Sequence, residues 1–431
     1  MDSVSAILRA VTSGQLDATL AALYGGDRIT AQQERYRSLL ARMEEWGGDR
    51  DCLLVTTPGR TELGGNHTDH NHGVVLAAGV DFDILAAAAP TGSGVIRVRS
   101  RGFSEIVEVA VGDLEYRAEE ENTTTALVRG VAAGFKARGW DVGGFDAWVD
   151  GEVPLGVGLS SSAAFEVCMG QVLNRLYNDG RRTPVELAVV GREAENTYFG
   201  KPCGLMDQLA CAAQGILSID FGSPDAPLVT PVDFDFAATG YQLVVVDTGG
   251  SHADLTPEYA AIPAEMEKAA RVLGQDKARG LTMGQVLDNA ARIRREAGDR
   301  PLLRLIHFIE ESDRALAQAE ALRRGDMAGY LDLVRQSGDS CWRLNQNCIS
   351  TKDYLDQPIP VALVLTRRFL KDDGAWRIQG GGFAGTIQAY VPVDRVAGYA
   401  GFMETVFGSG SVLPLRIRKP GIDVIRPGGG A

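Results

Sequence analysis

The chain has 431 residues, of which 45% are apolar and 23% charged, and its formal net charge at pH 7 is −13. This composition is ordinary for a globular protein of two or three domains, and it excludes a collagen, a disordered chain and a disulfide scaffold. The negative charge argues against a general binder of nucleic acids or anionic membranes, which would carry a basic face. Glycine is the unusual residue, because its 52 positions are about 12% of the chain against a usual value of about 7%.

Nothing in the sequence indicates secretion or membrane insertion. The six cysteines lack a CxxC pair or a zinc spacing, so reduced and mostly buried thiols are expected. The first residues, MDSVSAILRAVTSG, lack the basic start and long apolar core of a signal peptide. The most apolar stretch, residues 74–89, contains Asp81 and Asp83 and is a poor membrane span. We expect a cytoplasmic protein, monomeric or weakly homo-oligomeric, with no nucleic-acid or membrane partner.

The first half of the chain combines helical and strand patterns. Residues 1–50 have apolar positions at helical spacing, which predicts helices ahead of the first sheet. Short β-branched runs separated by Gly, Pro, Asp and Asn predict strands between residues 52 and 111. Helical periodicity returns over 124–138 and 160–177. A capping box at Thr183, followed by proline at the first helical position, starts a helix that runs to about residue 198.

The second half is more helical. Its predicted elements are strands at 215–222 and 241–249, a helical region at 257–345, and a strand, glycine turn and strand at 376–392. The tail, residues 412–431, ends in RPGGGA and is expected to fray. The segment 222–231 contains GSPDAP between two strands and predicts a domain boundary. We therefore expect an α+β protein of two lobes, residues 1–225 and 226–431.

A glycine- and serine-rich loop precedes one predicted helix. Residues 154–164, PLGVGLSSSAA, put two glycines and three serines at the start of the helix 160–177. Glycines let the backbone approach a ligand closely, and the N–H groups and dipole of a helix start attract an anion. Serine hydroxyls are also suitable oxygen ligands for Mg²⁺. The segment favours phosphate binding, and a tight turn with serine N-caps is the alternative interpretation.

A histidine-rich loop follows the first predicted strand. Residues 59–73, GRTELGGNHTDHNHG, contain three of the chain's five histidines beside Asp69. The HxxHxH spacing is not a usual zinc pattern. Side chains of Asn, Thr and Asp between glycines are equally suited to binding a polyhydroxylated ligand. A metal site, a sugar-binding loop and a solvated turn therefore remain open from the residues alone.

Two further segments have polar or glycine-rich patterns. Asp207 stands in PCGLMDQ ahead of an apolar run, where an N-cap and a carboxylate held in a cleft both fit the pattern, and Glu195 lies on the preceding predicted helix. Residues 379–385, QGGGFAG, predict a glycine turn between strands.

Other phosphate and hydrolase motifs are missing from the sequence. The chain has no GxxxxGK[ST] and no GxSxG, and its DFG at 220–222 has no HRD motif to accompany it.

The four segments, in this order, resemble the galactokinases, a family of the GHMP superfamily of kinases. The family signature GRVNLIGEHTDYNxG is similar to residues 59–73, and its phosphate motif PxGxGLSSSA is similar to residues 154–163. The PCGIMDQ segment and the late glycine motif are similar to residues 202–208 and 380–385. The resemblance implies an N-terminal lobe like domain 2 of ribosomal protein S5 and a ferredoxin-like C-terminal lobe, with the active site between them.

The resemblance also implies an ATP- and Mg²⁺-dependent kinase that phosphorylates the anomeric hydroxyl of galactose or a close relative. By the family's motifs, Asp207 accepts or orients the proton of the sugar hydroxyl, and Arg60 is the arginine paired with it. Ser162 and Glu195 match the Mg²⁺ ligands. The other matches are ATP contacts at Gly156, Gly158, Leu159, Ser160, Ser161 and Ser162, and sugar contacts at Asn66, His67, Asp69, Gly204 and Tyr259.

The chain departs from the family pattern at the sugar end. Asn66 stands where galactokinases have Glu, Glu62 replaces Asn and His70 replaces Tyr, and residues 245–262 are only loosely similar to NSNVRHSLxxSEY. An amide and a carboxylate offer different hydrogen bonds, so N-acetylgalactosamine, arabinose or a uronic acid is an alternative substrate. A non-catalytic sugar and ATP sensor is the alternative from another class. The uninterrupted GLSSSAA and the aspartate of PCGLMDQ favour the kinase.

Overall fold

Two β-sheets with helices packed against them organise the chain in a computed structural model, which describes residues 1–154, 156–223, 226–249 and 255–426. The helices are α1 (Val4–Thr12), α2 (Asp17–Tyr24), α3 (Ile29–Gly47), α4 (Thr124–Ala137), α5 (Ser161–Tyr177), α6 (Pro184–Glu193), α7 (Met206–Ala212), α8 (Thr256–Val272), α9 (Met283–Asp288), α10 (Ala290–Glu296), α11 (Asp299–Arg323), α12 (Met327–Ser340), α13 (Pro358–Leu370) and α14 (Val396–Phe407). The strands are β1 (Asp2–Ser3), β2 (Asp51–Gly64), β3 (Val74–Pro90), β4 (Val95–Ser100), β5 (Ile106–Ala110), β6 (Phe145–Gly151), β7 (Ile216–Asp220), β8 (Leu228–Val232), β9 (Tyr241–Asp247), β10 (Ala375–Ile378), β11 (Thr386–Pro392), β12 (Val412–Leu415) and β13 (Asp423–Ile425).

The larger sheet has the order β1-β2-β3-β6-β4-β5, with β13 paired to β2 and the β7–β8 hairpin paired to β3. Its two long antiparallel strands, β2 and β3, are buried on both faces. Alternate residues of each strand therefore enter different cores, because successive side chains of a strand point to opposite faces. Leu53 and Val55 pack in the core that contains α4 to α7, whereas Cys52 and Leu54 pack against α1 and α3.

The predicted helical region at residues 1–50 is confirmed as α1, α2 and α3, which cover the outer face of the larger sheet. A buried cluster of charges joins this layer to the sheet. Arg35 of α3 contacts Asp83 of β3 over 2.7 Å and Asp150 of β6 over 3.2 Å. The hydroxyl of Tyr24 donates a hydrogen bond to Asp83 over 2.6 Å. The N-terminal helices are thus part of the folded core of the first lobe.

The smaller sheet has the order β10-β11-β9-β12 and forms the second lobe together with the C-terminal helices. Helices α13 and α14 cover one of its faces through an apolar core. The helical region predicted at 257–345 is confirmed as α8 to α12 followed by a π-helical turn, Cys341–Asn345. Helix α11 packs against β3 of the first lobe as well as against α8 and α12, so it lies where the two lobes meet.

The helices predicted at 124–138, 160–177 and 183–198 are confirmed within one or two residues. The prediction that the histidine-rich loop starts at residue 59 is wrong, because residues 59–64 continue β2 through pairing with β3. The capping box is present, with the Thr183 side chain accepting from the backbone N–H of Glu186 and the Glu186 carboxylate accepting in return. The helix that begins there continues beyond α6 as a π-helical turn, Ala194–Phe199. The two-lobed α+β architecture is also confirmed, while the exact division at residue 225 stays a prediction. Each helix in the described ranges is either too short or too polar to span a bilayer.

The prediction that the tail frays is wrong as far as residue 426. Strand β12 is an edge of the smaller sheet, and β13 pairs with β2 of the larger one. The apolar residues Leu413, Ile422 and Val424 pack against the main core, and this burial outweighs the weak local pattern. Residues 427–431, which contain the terminal glycines, lie outside the described residues.

Candidate active site

Arg60 and Asp207 form an ion pair between the larger sheet and a short helix. Arg60 lies near the end of β2, and Asp207 is in the first turn of α7. The guanidinium of Arg60 donates two hydrogen bonds to the carboxylate in a bidentate arrangement, from Nε to Oδ1 over 2.6 Å and from Nη2 to Oδ2 over 2.7 Å. Ser160 also donates a hydrogen bond to Oδ2 of Asp207. The structure thus brings together the two residues for which the sequence predicted a catalytic pairing.

The environment of Asp207 keeps its carboxylate ionised. Burial alone would raise the pKa of Asp207, but the charge and hydrogen bonds of Arg60, the hydroxyl of Ser160 and the charge of Lys201 hold it below the usual value. The Asp207 side chain remains 27% exposed, whereas that of Arg60 is 7% exposed. The carboxylate is therefore accessible to a ligand while its counterion is buried behind it.

The serine-rich loop leads into α5 with a backbone suited to an anion. Gly156 and Gly158 have φ values of +78° and +69°, which only glycine adopts without strain, and Ser160 itself is left-handed. Within the described part of the chain, no side chain caps the first turn of α5, because the Ser160 hydroxyl is used by Asp207 instead. The N–H groups at the helix start are thus left for a ligand. Leu155 lies outside the described residues.

The second lobe holds this loop from the other side. Gln379 Nε2 donates to the carbonyl of Gly158 over 3.2 Å, and the Thr386 hydroxyl donates to the carbonyl of Val157 over 3.2 Å. The backbone N–H of Arg60 donates to Leu159 O over 3.0 Å. The loop is therefore fixed between β2 of the first lobe and the β10–β11 turn of the second.

Ser162 and Glu195 supply oxygen atoms of the kind that bind Mg²⁺. The Ser162 hydroxyl in the first turn of α5 donates to Glu195 Oε1 over 2.9 Å. Glu195 is in the π-helical turn after α6, and its side chain is only 2% exposed. Mg²⁺ prefers oxygen ligands and is usually bound through one or two carboxylates together with substrate phosphates. One buried carboxylate and one hydroxyl beside an uncapped helix start fit that ion.

Three residues outside the sequence-predicted site surround Glu195. Lys201 Nζ donates to Glu195 Oε1 over 3.1 Å. Gln208, the neighbour of Asp207, donates through Nε2 to Glu195 Oε2 at 2.9 Å and to Glu166 Oε2 at 3.0 Å. Burial, and then the charge of Glu195, raise the pKa of Glu166 well above its usual value. The available sequence signal was spacing, since Glu166 lies one helical turn after Ser162 and Gln208 directly follows Asp207.

The histidine-rich loop packs on the segment that carries Asp207. Gly204 faces Asp69 so closely that a Cβ atom at this position would lie 2.1 Å from Asp69 Oδ2. His67 has a left-handed backbone with φ +59°, and its Nε2 lies 2.7 Å from the carbonyl oxygen of Gly381. Within the described residues, no group of three or more His, Cys, Asp or Glu side chains is arranged to hold a metal ion. The loop is instead held by hydrogen bonds to the second lobe.

Asn66 is buried in a network of polar side chains. Its Nδ2 donates to Glu62 Oε1 at 3.0 Å and to the carbonyl of Gly380 at 2.8 Å, and its Oδ1 accepts from Asn347 Nδ2 at 2.9 Å. Glu62 in turn accepts from Arg377. The Asn66 side chain is therefore fully engaged with the protein, and its contact with a sugar stays a prediction.

The late glycine segment lies against Tyr259. The Tyr259 hydroxyl donates to Gly382 O over 2.9 Å, and its ring packs edge-on against Phe383 with centroids 5.4 Å apart. Gly381 has no space for a side chain, because a Cβ atom would lie 2.5 Å from the Tyr259 ring. Carbonyl groups of this turn thus meet His67, Asn66 and Tyr259. Residues 250–254, just before α8, lie outside the described residues.

Family models match two parts of the first lobe. The model of the GHMP kinases N-terminal domain matches residues 126–215, which include the serine-rich loop, Glu195 and Asp207. The model of the galactokinase galactose-binding signature matches residues 43–90, which include Arg60 and the histidine-rich loop. The chain therefore resembles the GHMP kinases. Within them it resembles the galactokinases, as the four motifs predicted.

Solved structures have the same fold across nearly their whole length. Lactococcus lactis galactokinase complexed with galactose is 23% identical, with a TM-score of 0.76, over 90% of this chain and 98% of that one. A D-glycero-D-manno-heptose 1-phosphate kinase from Bacteriodes thetaiotaomicron is 16% identical, with a TM-score of 0.58, over 87% and 99%. Methanococcus jannaschii mevalonate kinase is 13% identical, with a TM-score of 0.57, over 85% and 98%. The fold is thus that of the GHMP kinases.

Proposed function

We propose that this chain is a sugar 1-kinase that transfers the γ-phosphoryl group of ATP to the anomeric hydroxyl of galactose or a close relative. The observation that carries the proposal is the Arg60–Asp207 ion pair, which lies between an uncapped, glycine-flanked helix start and the loop that matches a galactose-binding signature. Phosphoryl transfer depends mainly on positioning an acceptor hydroxyl in line and on stabilising charge on the phosphoryl oxygens. The residues around this pair are suited to both tasks.

In the proposed reaction, the sugar oxygen forms a bond to the γ-phosphorus while the bond from that phosphorus to the β–γ bridging oxygen breaks, and ADP leaves. Asp207 accepts a hydrogen bond from the sugar hydroxyl. This bond orients the hydroxyl so that a lone pair of the sugar oxygen points at the γ-phosphorus. Because Arg60 holds the pKa of Asp207 below its usual value despite burial, the carboxylate is a weak base. Asp207 therefore mainly orients the hydroxyl and receives the proton only when the new bond is well formed.

The nucleotide is expected at the start of α5. Its phosphate oxygens accept from the backbone N–H groups of Ser161 and Ser162, and the glycines at 156 and 158 let the phosphates approach. Mg²⁺, when bound through Ser162 and Glu195, neutralises phosphate charge. We expect the sugar to contact His67, Asp69 and Gly204, and the contacts of His67 and Tyr259 with the glycine turn and of Asp69 with Gly204 support this.

The test is a coupled assay of ADP release with the full-length protein, ATP and Mg²⁺ against galactose, N-acetylgalactosamine, arabinose and uronic acids. We expect sugar-dependent ADP release with at least one of them. Asp207→Asn is expected to lower kcat by roughly 10²- to 10⁴-fold, whereas Asp373→Asn, which changes a carboxylate paired on the surface with Tyr241, is expected to retain the wild-type kcat. Binding of ATP and sugar without turnover would contradict the kinase and favour the sensor.

A further inference from the structure

Lys201 reaches from the surface into the proposed metal and phosphate site. Its side chain is 61% exposed, but Nζ lies 3.1 Å from Oε1 of Glu195, whose side chain is 2% exposed. The same oxygen accepts the hydrogen bond of Ser162. One carboxylate oxygen, which belongs to the proposed Mg²⁺ ligand set, is thus already in contact with a cationic group.

The ammonium group of Lys201 also affects Asp207, the residue proposed to orient the acceptor hydroxyl. Burial raises the pKa of Asp207, and Arg60 and Lys201 are the charges that lower it. Lys201 is therefore within electrostatic range of the residue that orients the sugar hydroxyl and in direct contact with the residue on the nucleotide side. The phosphoryl group moves between these two sides during transfer, and its three equatorial oxygens carry negative charge.

We propose that Lys201 binds the transferred phosphoryl group, and that without nucleotide its ammonium takes the position beside Glu195 that the divalent cation takes in the complex. This inference rests on the proposed function. A lysine is suited to both states, because it is a compact charge with three donors on a flexible stem. When a metal–nucleotide complex binds, the ammonium leaves Glu195 and turns to the γ-phosphate oxygens. Lysine contributes hydrogen bonds and charge only, with no covalent step.

A purely structural role makes a different prediction. If Lys201 only neutralised the buried Glu195 carboxylate, its loss would lower the free energy of unfolding. That loss would not distinguish a nucleotide with a γ-phosphate from one without it. The chain offers a matched control in Lys419, which is 74% exposed and lies 3.4 Å from Asp235. Lys419→Met removes the same charge from an ion pair outside the site.

The first measurement is calorimetric binding of the non-hydrolysable ATP analogue AMP-PNP and of ADP to full-length protein with Mg²⁺. Lys201→Met is expected to weaken AMP-PNP binding roughly tenfold to hundredfold, the range for one hydrogen bond to a charged group, and to change ADP binding less than about threefold. Lys201→Arg is expected to restore part of the loss, and Lys419→Met to match the wild type. Unchanged AMP-PNP binding in Lys201→Met, or an equal loss for both nucleotides, would overturn the inference.

The second measurement is Mn²⁺ binding to the nucleotide-free protein, followed by electron paramagnetic resonance. Lys201→Met is expected to bind Mn²⁺ severalfold more tightly than the wild type, because no ammonium competes for Glu195; equal or weaker binding contradicts the proposed exchange. The two proposals fail in distinguishable ways. If the wild type shows no sugar-dependent ADP release, the proposed function is wrong. If the wild type is active but Lys201→Met binds AMP-PNP and Mn²⁺ as the wild type does, only the role of Lys201 is wrong.

Discussion

Asn66 donates a hydrogen bond to Glu62 over 3.0 Å, and both residues are departures from the galactokinase signature. In that signature an Asn stands at the position of Glu62 and a Glu at the position of Asn66, so the amide and the carboxylate have exchanged places. The two positions together still hold one amide and one carboxylate. The exchange puts the negative charge against the buried guanidinium of Arg377, at the end of β10. Because the two departures share one hydrogen-bonded network, we expect their effects on stability to be coupled.

This coupling predicts a non-additive pair of substitutions. Asn66→Glu alone puts a second buried carboxylate beside Glu62 and should lower the free energy of unfolding by about 3–5 kcal/mol, the range for an uncompensated buried charge. Adding Glu62→Asn should recover part of this loss. Urea denaturation of both single variants and the double variant forms a thermodynamic cycle that measures the coupling. Additive losses would mean that the two side chains do not depend on each other.

The ion pair at the site predicts how activity depends on pH. In the wild type, Asp207 stays ionised, so kcat should not fall between pH 8 and 5 through this group. In Arg60→Met, burial remains and the largest opposing charge is lost, so the pKa of Asp207 rises. Residual kcat of the variant should then fall as the pH drops through the raised pKa. The check is kcat measured from pH 5 to 8 for both proteins, and the same profile in both would contradict the assignment.

The contact between Gly204 and Asp69 predicts a specific effect on sugar binding. Gly204→Ala would put a methyl group 2.1 Å from Asp69 Oδ2, so the carboxylate must move. We expect the KM for the sugar to rise roughly tenfold or more, while the KM for ATP changes little. Gly401→Ala is the control, because its added methyl group meets open space in α14. Equal effects of the two substitutions would remove Asp69 from the sugar site.

His67 predicts a loss of stability in mild acid. Burial and neighbouring His70 lower its pKa to about 4 despite its hydrogen bond to Gly381. The unfolded chain binds this proton near pH 6.5, so it takes up more protons than the folded protein between pH 6.5 and 4. The free energy of unfolding should therefore fall in this window as the pH is lowered, by up to about 3 kcal/mol from this residue. His67→Gln should have a smaller slope between pH 6.5 and 5, and the same slope as the wild type between pH 7 and 8.

The buried charges under the N-terminal helices predict that this layer is required for stability. Arg35→Met leaves Asp150 without this buried partner and Asp83 with only part of its counterion charge, and should cost about 3–5 kcal/mol of unfolding free energy. Arg37→Met, on the same helix, removes only an exposed pair with Glu34 and should change stability by less than about 0.5 kcal/mol. Thermal and urea unfolding measure the free energy of unfolding of both variants. Similar losses would show that the buried cluster contributes no more to stability than an exposed ion pair.

Much of the fold was predictable because local signals agreed with tertiary packing. The capping box at Thr183, the helical periodicity of α5 and the glycine punctuation between β10 and β11 each depend on residues close in sequence. The tail was not predictable in this way. The short segment Asp423–Ile425 has little pattern of its own, and its pairing with Thr56, Val55 and Leu54 joins parts of the chain that are distant in sequence.

The site was predictable where a motif carries its chemistry in the residue type. Arg60 pairs with Asp207, and Ser162 pairs with Glu195, while the roles that the resemblance implied for them stay predictions. The contact of Lys201 with Glu195 was not visible, although only six residues separate them, because it depends on the π-helical turn Ala194–Phe199 and the left-handed Gly200 that ends it. The same limit applies to Asn66, whose side chain is surrounded by Gly380 and Asn347 from the second lobe.

The pairing of β13 with β2 determines when the larger sheet can be completed during synthesis of the chain. Strand β2 is among the first strands to leave the ribosome. Residues 54–56 on one of its edges pair with residues 423–425, which are among the last to be synthesised. Until then, that edge is exposed and able to pair with another chain. A fragment ending near residue 225 would keep the exposed edge permanently. The first lobe is thus first in sequence order but is completed last, and it is expected to be a poor candidate for expression on its own.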